Sequence, residues 1–207
     1  MNTQRLDFTT HSATWLTATM IPISLLVVLY APYSWGFENG LIETLQLIIL
    51  TLAIIFCVGA RTDKSLYLFF ATILLIMIFR EVNCGRVLLW SRCGESFHCG
   101  PPSDYLKWKE IPHGTAIRTT IYAVLTLICA VTLCRKGNLR ALLTLICRTR
   151  IPVWEALLFI IGIVTGIIAE KLYFSFLLEE MAETLTYTAL AAALYRYSHA
   201  IQAPIHP

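Results

Sequence analysis

The chain has 207 residues, of which 57% are hydrophobic and 14% charged, and its mean hydropathy is +0.68. A water-soluble domain keeps roughly a quarter of its residues charged to cover its surface, so this composition excludes that class. The net charge of +3 requires no nucleic-acid partner, because anionic lipid headgroups account for the basic residues of a membrane protein.

The first apolar stretch, residues 13–35, follows a short polar start in which Arg5 is offset by Asp7. This stretch is longer than the apolar part of a signal peptide, and no cleavage site of small residues follows it. The sequence therefore predicts a retained transmembrane helix here.

Five further apolar stretches follow with short connections, each close to the roughly 20 residues that a helix needs to cross a bilayer. They lie at residues 40–60, 65–81, 114–134, 152–171 and 175–197, and the second of them has an apolar continuation toward Trp90. Pro152 suits a first helical turn, and the prolines of the tail at 203–207 end the last helix. We predict an all-α fold, in which residues 1–207 form a single integral membrane domain with a bundle of about six transmembrane helices.

Residues 138–150 lie between the fourth and fifth predicted spans. A helix here would place Leu139, Leu142, Leu143 and Ile146 on one face, with basic residues near both ends. That pattern is typical of a helix lying in the membrane interface, and a plain basic loop is the alternative.

Lys and Arg residues predict the orientation, because cytoplasmic loops carry the excess of them. With the N-terminus inside, nine fall in cytoplasmic segments: Arg5, Arg61, Lys64, Arg135, Lys136, Arg140, Arg148, Arg150 and Arg196. The opposite side has four: Arg86, Arg92, Lys107 and Lys109. We therefore predict both termini in the cytoplasm, a long outer loop at about 82–113 and a basic inner loop at about 135–151.

On this topology, many polar residues come to the outer membrane face. Ionisable residues within a span are costly, so they usually pair with each other or line a wet cavity. On the last helix, Glu183 lies three residues after Glu180 and four after Glu179, so these carboxylates share a face. The candidate site residues are Glu43, Arg80, Glu81, His113, Arg118, Glu170, Glu180 and Glu183.

A structural interpretation competes with a binding site. Acidic residues in a first helical turn are favoured by the helix dipole, which accounts for Glu38, Glu110 and Glu179 without any ligand. Glu155, at the inner start of a helix, is interpreted in the same way. The deeper residues form either a working site or an Arg–Glu network that holds the bundle together, and a simple loop residue is the favoured interpretation of His113.

Three of the seven cysteines, Cys84, Cys93 and Cys99, fall in the long outer loop. Cys93 and Cys99 close a short loop, so in an oxidising periplasm we predict a disulfide between them, while the state of Cys84 stays open. A metal site with His98 is the alternative, although the segment lacks the paired two-residue spacing of zinc sites.

Two short motifs, Phe79-Arg80-Glu81 at the end of one helix and Glu179-Glu180-x-x-Glu183 at the start of the last, carry a resemblance. In these features the chain resembles small bacterial polytopic inner-membrane proteins of uncharacterised activity, from about the second helix to the C-terminus. The resemblance implies a location in the bacterial inner membrane and implies no activity.

The sequence has no Gly-rich phosphate loop, no Gly-x-Ser-x-Gly and no His-Glu-x-x-His, so it indicates no enzyme class. Three functions are left. We rank first an outer-face site for a divalent cation or for a lipid or glycan headgroup. An accessory or assembly subunit that partners another membrane protein comes next, and a small proton-coupled transporter third. A carboxylate row continuing to the inner face would favour transport.

Overall fold

A computed structural model describes residues 6–60, 64–90, 92, 101–135, 137–148, 151–172 and 176–200. Within these residues 82% of the chain is helical, counting short 3-10 turns, and eight α-helices make up most of it. They are α1 (Ser12–Tyr30), α2 (Leu41–Val58), α3 (Lys64–Glu81), α4 (Arg86–Leu89), α5 (Gly114–Cys134), α6 (Asn138–Arg148), α7 (Val153–Leu172) and α8 (Phe176–Ala200). Short 3-10 turns lie at Tyr33–Gly36, Asn83–Gly85 and Pro102–Asp104.

Four helices, α1, α2, α5 and α7, are long and apolar enough to cross a membrane. A fifth span results if α3 and the following Asn83–Leu89 segment, which bends away by 55°, are counted together. The all-helical membrane-type architecture is therefore confirmed, whereas six spans and their orientation stay predictions. The remaining long helix, α8, carries acidic residues in its first turns and lies in the middle of the bundle.

The core forms where α8 packs against α1, α2 and α7, while α3 packs against α2. Its largest cluster includes Leu50, Tyr67, Leu74, Tyr187 and Leu194, all buried. Thr184, Thr186 and Thr188 are also buried in α8, and each hydroxyl donates to the carbonyl four residues earlier in the same helix. A helix surrounded by other helices can therefore keep this polar sequence, because its hydroxyls are satisfied internally.

Two helix ends differ from the prediction for local reasons. The first helix ends at Tyr30 rather than near residue 35, because Ala31 precedes Pro32 and adopts an extended conformation. The third predicted helix does not continue straight to Trp90. Asn83, Cys84 and Gly85 adopt positive φ values, which break the helix before α4 begins.

The segment predicted as an interface helix is helical at Asn138–Arg148. Leu139 and Leu143 on its predicted apolar face are 55% and 53% exposed, so no other part of the described chain covers them. The exposed apolar face suits an interfacial position, which stays a prediction.

The N-terminal segment contacts α8 near Arg196, at the end of α8 opposite its glutamates. Strand β1 (Leu6–Asp7) pairs in parallel with β2 (Ile151–Pro152). Arg196 donates to Glu155 at 2.7 Å and to Asp7 at 2.8 Å, and the Thr14 hydroxyl bonds the other oxygen of Glu155. Glu155 is only 1% exposed. The interpretation of Glu155 as a plain helix-start acid was therefore wrong, because it forms a buried ion pair.

Candidate functional site

A cavity of about 340 Å³ lies where the start of α2, the end of α3 and the start of α8 meet. We call it the acidic cavity, because six of its lining residues are glutamates and one is an arginine. The described residues that line it are Gly36, Glu38, Glu43, Arg80, Glu81, Asn83, Phe176, Glu179, Glu180 and Glu183. Five of the eight candidate residues from the sequence are among them.

The first turn of α2 places Glu43 in the cavity wall. Its carboxylate accepts the backbone N–H of Asn39 at 2.5 Å, which satisfies a donor that precedes the helix. The residue is 8% exposed, so most of the carboxylate is removed from solvent. Asn39 adopts a φ of 59°, which turns the chain so that this contact can form. In the described part of the chain, no arginine or lysine forms an ion pair with Glu43.

Glu180, on α8, lines the same cavity as Glu43 and also lacks an ion pair with any described residue. Gln46 donates its amide to the Glu180 carboxylate at 3.0 Å and to the Glu180 carbonyl at 2.9 Å. Gln46 is fully buried, and its own Oε1 has no hydrogen-bond partner in the described structure. Glu180 is therefore fixed by a neutral amide rather than neutralised by a cation.

Arg80 joins α3 to α8 at the edge of the cavity. Its guanidinium hydrogen-bonds Glu183, and its Nε lies 3.7 Å from Glu81. The hydroxyl of Tyr187 donates to Glu81 at 2.5 Å. Part of the cluster is thus an Arg–Glu network, as the sequence suggested. One guanidinium cannot balance the remaining carboxylates of the wall.

Glu38 lies in the segment before α2 and pairs with an arginine just outside the cavity. Arg86, at the start of α4, donates to Glu38 at 3.2 Å and to the carbonyl of Leu106 at 3.1 Å. Burial raises the pKa of Glu38, and the neighbouring Arg86 opposes that rise. The short α4 helix therefore supplies a cation that stabilises the cavity rim.

A second cavity of about 260 Å³ lies between α7 and α8 and shares Arg80, Glu179 and Glu183 with the acidic cavity. We call it the glycine cleft, because Gly162 and Gly166 form part of its wall beside Ile163 and Ile167. Glu170 lines the cleft and not the acidic cavity. Gly162 and Gly166 thus lie where α7 packs against α8.

Two candidate residues lie apart from these cavities. His113 is the N-cap of α5 with a φ of 55°, and its side chain is exposed. Arg118 lines a third cavity, of about 820 Å³, which runs along α5 and shares only Asn83 with the acidic cavity. The sequence predicted the depth of both residues along the bundle, and depth alone does not give the side of the bundle on which a residue lies.

Sequence reasoning missed Tyr187 and Asn83. Tyr187 follows Glu183 by four residues, so helical spacing puts both on one face of α8, and that signal was available. Asn83 lines two cavities because a left-handed turn ends α3 there, and no sequence pattern indicated that turn.

Between α4 and α5, Glu110 is an exposed carboxylate that accepts hydrogen bonds from two donors. It accepts the backbone N–H of Lys107 at 2.8 Å and the guanidinium of Arg92 at 2.8 Å. These contacts, the backbone N–H first, hold the pKa of Glu110 below its usual range. This residue lies outside the cavities and therefore serves as a control.

Among the described residues, no group of three or more His, Cys, Asp or Glu side chains is arranged to hold a metal ion. Cys93, His98 and Cys99 lie outside the described residues, so their disulfide and metal alternatives stay predictions. Cys84 is a buried free thiol.

Comparison with models of protein families, with curated proteins and with solved structures finds no match to this chain.

Proposed function

We propose that this chain is a multi-pass protein of the bacterial inner membrane whose acidic cavity binds the ammonium group of a lipid or glycan headgroup at the periplasmic face. The observation that carries the proposal is the excess of carboxylates. Six glutamates and one arginine line a single cavity, and Glu43 and Glu180 have no cationic partner among the described residues. A positively charged ligand would offset their mutual repulsion.

An organic ammonium group suits the cavity better than a divalent cation. A metal ion needs several ligands converging at short distances, and the described residues offer no such group. An ammonium group has three donors that can reach separate acceptors across a wider space. The volume of about 340 Å³ is within the usual range for small-molecule sites.

Binding of octylamine to the purified protein in detergent tests the proposal, with octanol as the uncharged control. Wild type should bind octylamine, and Glu180→Gln or Glu43→Gln should weaken that binding roughly tenfold or more, because each removes a charged acceptor. Glu110→Gln, an exposed glutamate outside the cavity, should bind as wild type does. Equal binding of amine and alcohol, or no effect of either cavity variant, would refute the proposal.

An accessory subunit is the second function, favoured by the bonds of Arg80 to Glu183 and of Tyr187 to Glu81, which join α3 to α8. If the cluster only joins helices, Glu180→Gln should lower the melting temperature while octylamine does not bind any variant. For a proton-coupled transporter, the described chain offers no carboxylate row between the ends of the bundle, and Glu155 is paired with Arg196.

A further inference from the structure

A groove of about 820 Å³ follows one face of α5, and the acidic cavity does not account for it. We call it the α5 groove; it is lined by Asn83, Arg118, Thr119, Tyr122, Ala123, Thr126, Leu127 and Ala130. From Arg118 to Ala130 the lining residues recur on successive turns, so the groove is about 18 Å long. Of the described helices, α5 packs substantially only against α3 and α6, which leaves this face open to lipid.

The two ends of the α5 groove differ in polarity. At the end nearest the acidic cavity lies Arg118, an exposed guanidinium that forms no ion pair with any residue in the described part of the chain. Asn83 lies beside it and accepts a hydrogen bond from Trp108 at 3.0 Å. At the other end, Leu127 is 64% exposed and Ala130 leaves a shallow floor. A cation above an apolar channel has the shape and polarity of a site for a phospholipid.

Asn83 lines both the α5 groove and the acidic cavity, so the two spaces adjoin at that residue. An anion bound at Arg118 would therefore lie close to the cavity glutamates. A headgroup with a phosphate alone would be repelled by them, whereas one with a phosphate and an ammonium group meets a partner of opposite charge at each position.

We propose that the α5 groove and the acidic cavity together bind an aminophospholipid. The phosphate binds Arg118, an acyl chain lies along α5 from Tyr122 to Ala130, and the ammonium group enters the acidic cavity past Asn83. This inference rests on the proposed function and names its ligand class. Arginine suits the role because its planar donors match phosphate oxygens.

Lipid binding is tested by native mass spectrometry of the full chain released from micelles containing phosphatidylethanolamine, phosphatidylglycerol or phosphatidylcholine. Wild type should retain phosphatidylethanolamine about tenfold better than phosphatidylglycerol, because a like charge at the cavity is costly. Arg118→Gln should lose most of that retention, and Arg118→Lys should keep part of it. Arg140→Gln, an exposed arginine on α6, is the matched control and should behave as wild type.

Octylamine binding, measured on the same variants, separates the two proposals. Arg118→Gln should not weaken octylamine binding, because Arg118 does not line the acidic cavity, whereas Glu180→Gln should weaken the binding of both ligands. If Arg118→Gln retains phosphatidylethanolamine fully, this inference fails while the proposed function stands. If wild type binds no octylamine, the proposed function fails. Equal retention of phosphatidylglycerol, or a dimer with α5 covered and no bound lipid, would also overturn the inference.

Discussion

Replacing Arg196 should destabilise the protein more than replacing either of its acidic partners. Arg196 and Glu155 are 7% and 1% exposed, and their nitrogen and oxygen lie 2.7 Å apart. Removing one member of a buried ion pair costs about 3–5 kcal/mol, because the other charge is left without compensation. Arg196→Met leaves Glu155 with the Thr14 hydroxyl as its one hydrogen-bond partner among the described side chains, so we expect a loss of about 4–5 kcal/mol in the free energy of unfolding.

Variants of the two acidic partners should lose less free energy of unfolding than Arg196→Met. Glu155→Gln leaves Arg196 paired with Asp7, so its cost should be near the lower limit, about 3 kcal/mol. Asp7→Asn removes a partner that is partly exposed and leaves the buried pair intact, so it should cost about 1 kcal/mol or less. The Glu155→Gln, Arg196→Met double variant should be more stable than Arg196→Met alone, since the buried carboxylate of Glu155 is then no longer left without its cation.

Unfolding by SDS titration, followed by tryptophan fluorescence in detergent, gives these free energies. Wild type, Glu155→Gln, Arg196→Met and the double variant form a double-mutant cycle. Asp7→Asn is the matched control outside the cycle. Equal losses for Arg196→Met and Asp7→Asn, or a double variant as unstable as the sum of the two single ones, would show that the pair is not the buried unit described above.

Four further outcomes follow from the structure and the sequence. Gly162→Ala should cost about 1–3 kcal/mol because its Cβ would lie 2.3 Å from the Thr186 hydroxyl oxygen, whereas Gly166→Ala, whose Cβ would lie 3.7 Å from its neighbour, should be tolerated; melting temperatures decide this. Carbon-13 NMR should find the pKa of Glu110 below its usual range. Glu110 should therefore stabilise the folded protein at pH values above its unfolded-state pKa, and this stabilisation should be lost as the pH falls through its folded-state pKa. Cys93 and Cys99 should resist thiol labelling in intact cells until a reductant is added, and prompt labelling would exclude their disulfide. A phosphatase reporter fused to the C-terminus should be inactive and one in the long outer loop active; the reverse would invert the orientation.

Helix positions could be predicted because they depend on local chemistry. Apolar length and the nearby prolines and glycines placed α5 at Gly114–Cys134, as the structure has it. The end of α1 was placed too late, since the apolar residues continue past Pro32 while the backbone does not. Hydropathy reports which residues avoid water, whereas helix ends depend on hydrogen bonds and φ angles.

For the residues of the site, the sequence predicted how far along the bundle each one lies, but not the side of the bundle on which it lies. The positions of Glu43, Glu81 and Glu183 within their predicted helices indicated that all three lie near one end of the bundle, and all three line the acidic cavity. The same reasoning added His113 and Arg118, which lie elsewhere, because the direction of a residue around the bundle depends on how the helices pack. Glu155 was undervalued for the same reason, since its partner Arg196 is distant in sequence.

The central position of α8 has a consequence for biogenesis. A helix that opens with three glutamates and contains a buried arginine partitions poorly into lipid when it leaves the translocon alone. Its neighbours α1, α2 and α7 all precede it in the chain, so they are already synthesised when it emerges. The ribosome therefore synthesises α8 after the helices against which it packs, so a protein surface as well as lipid is available to it.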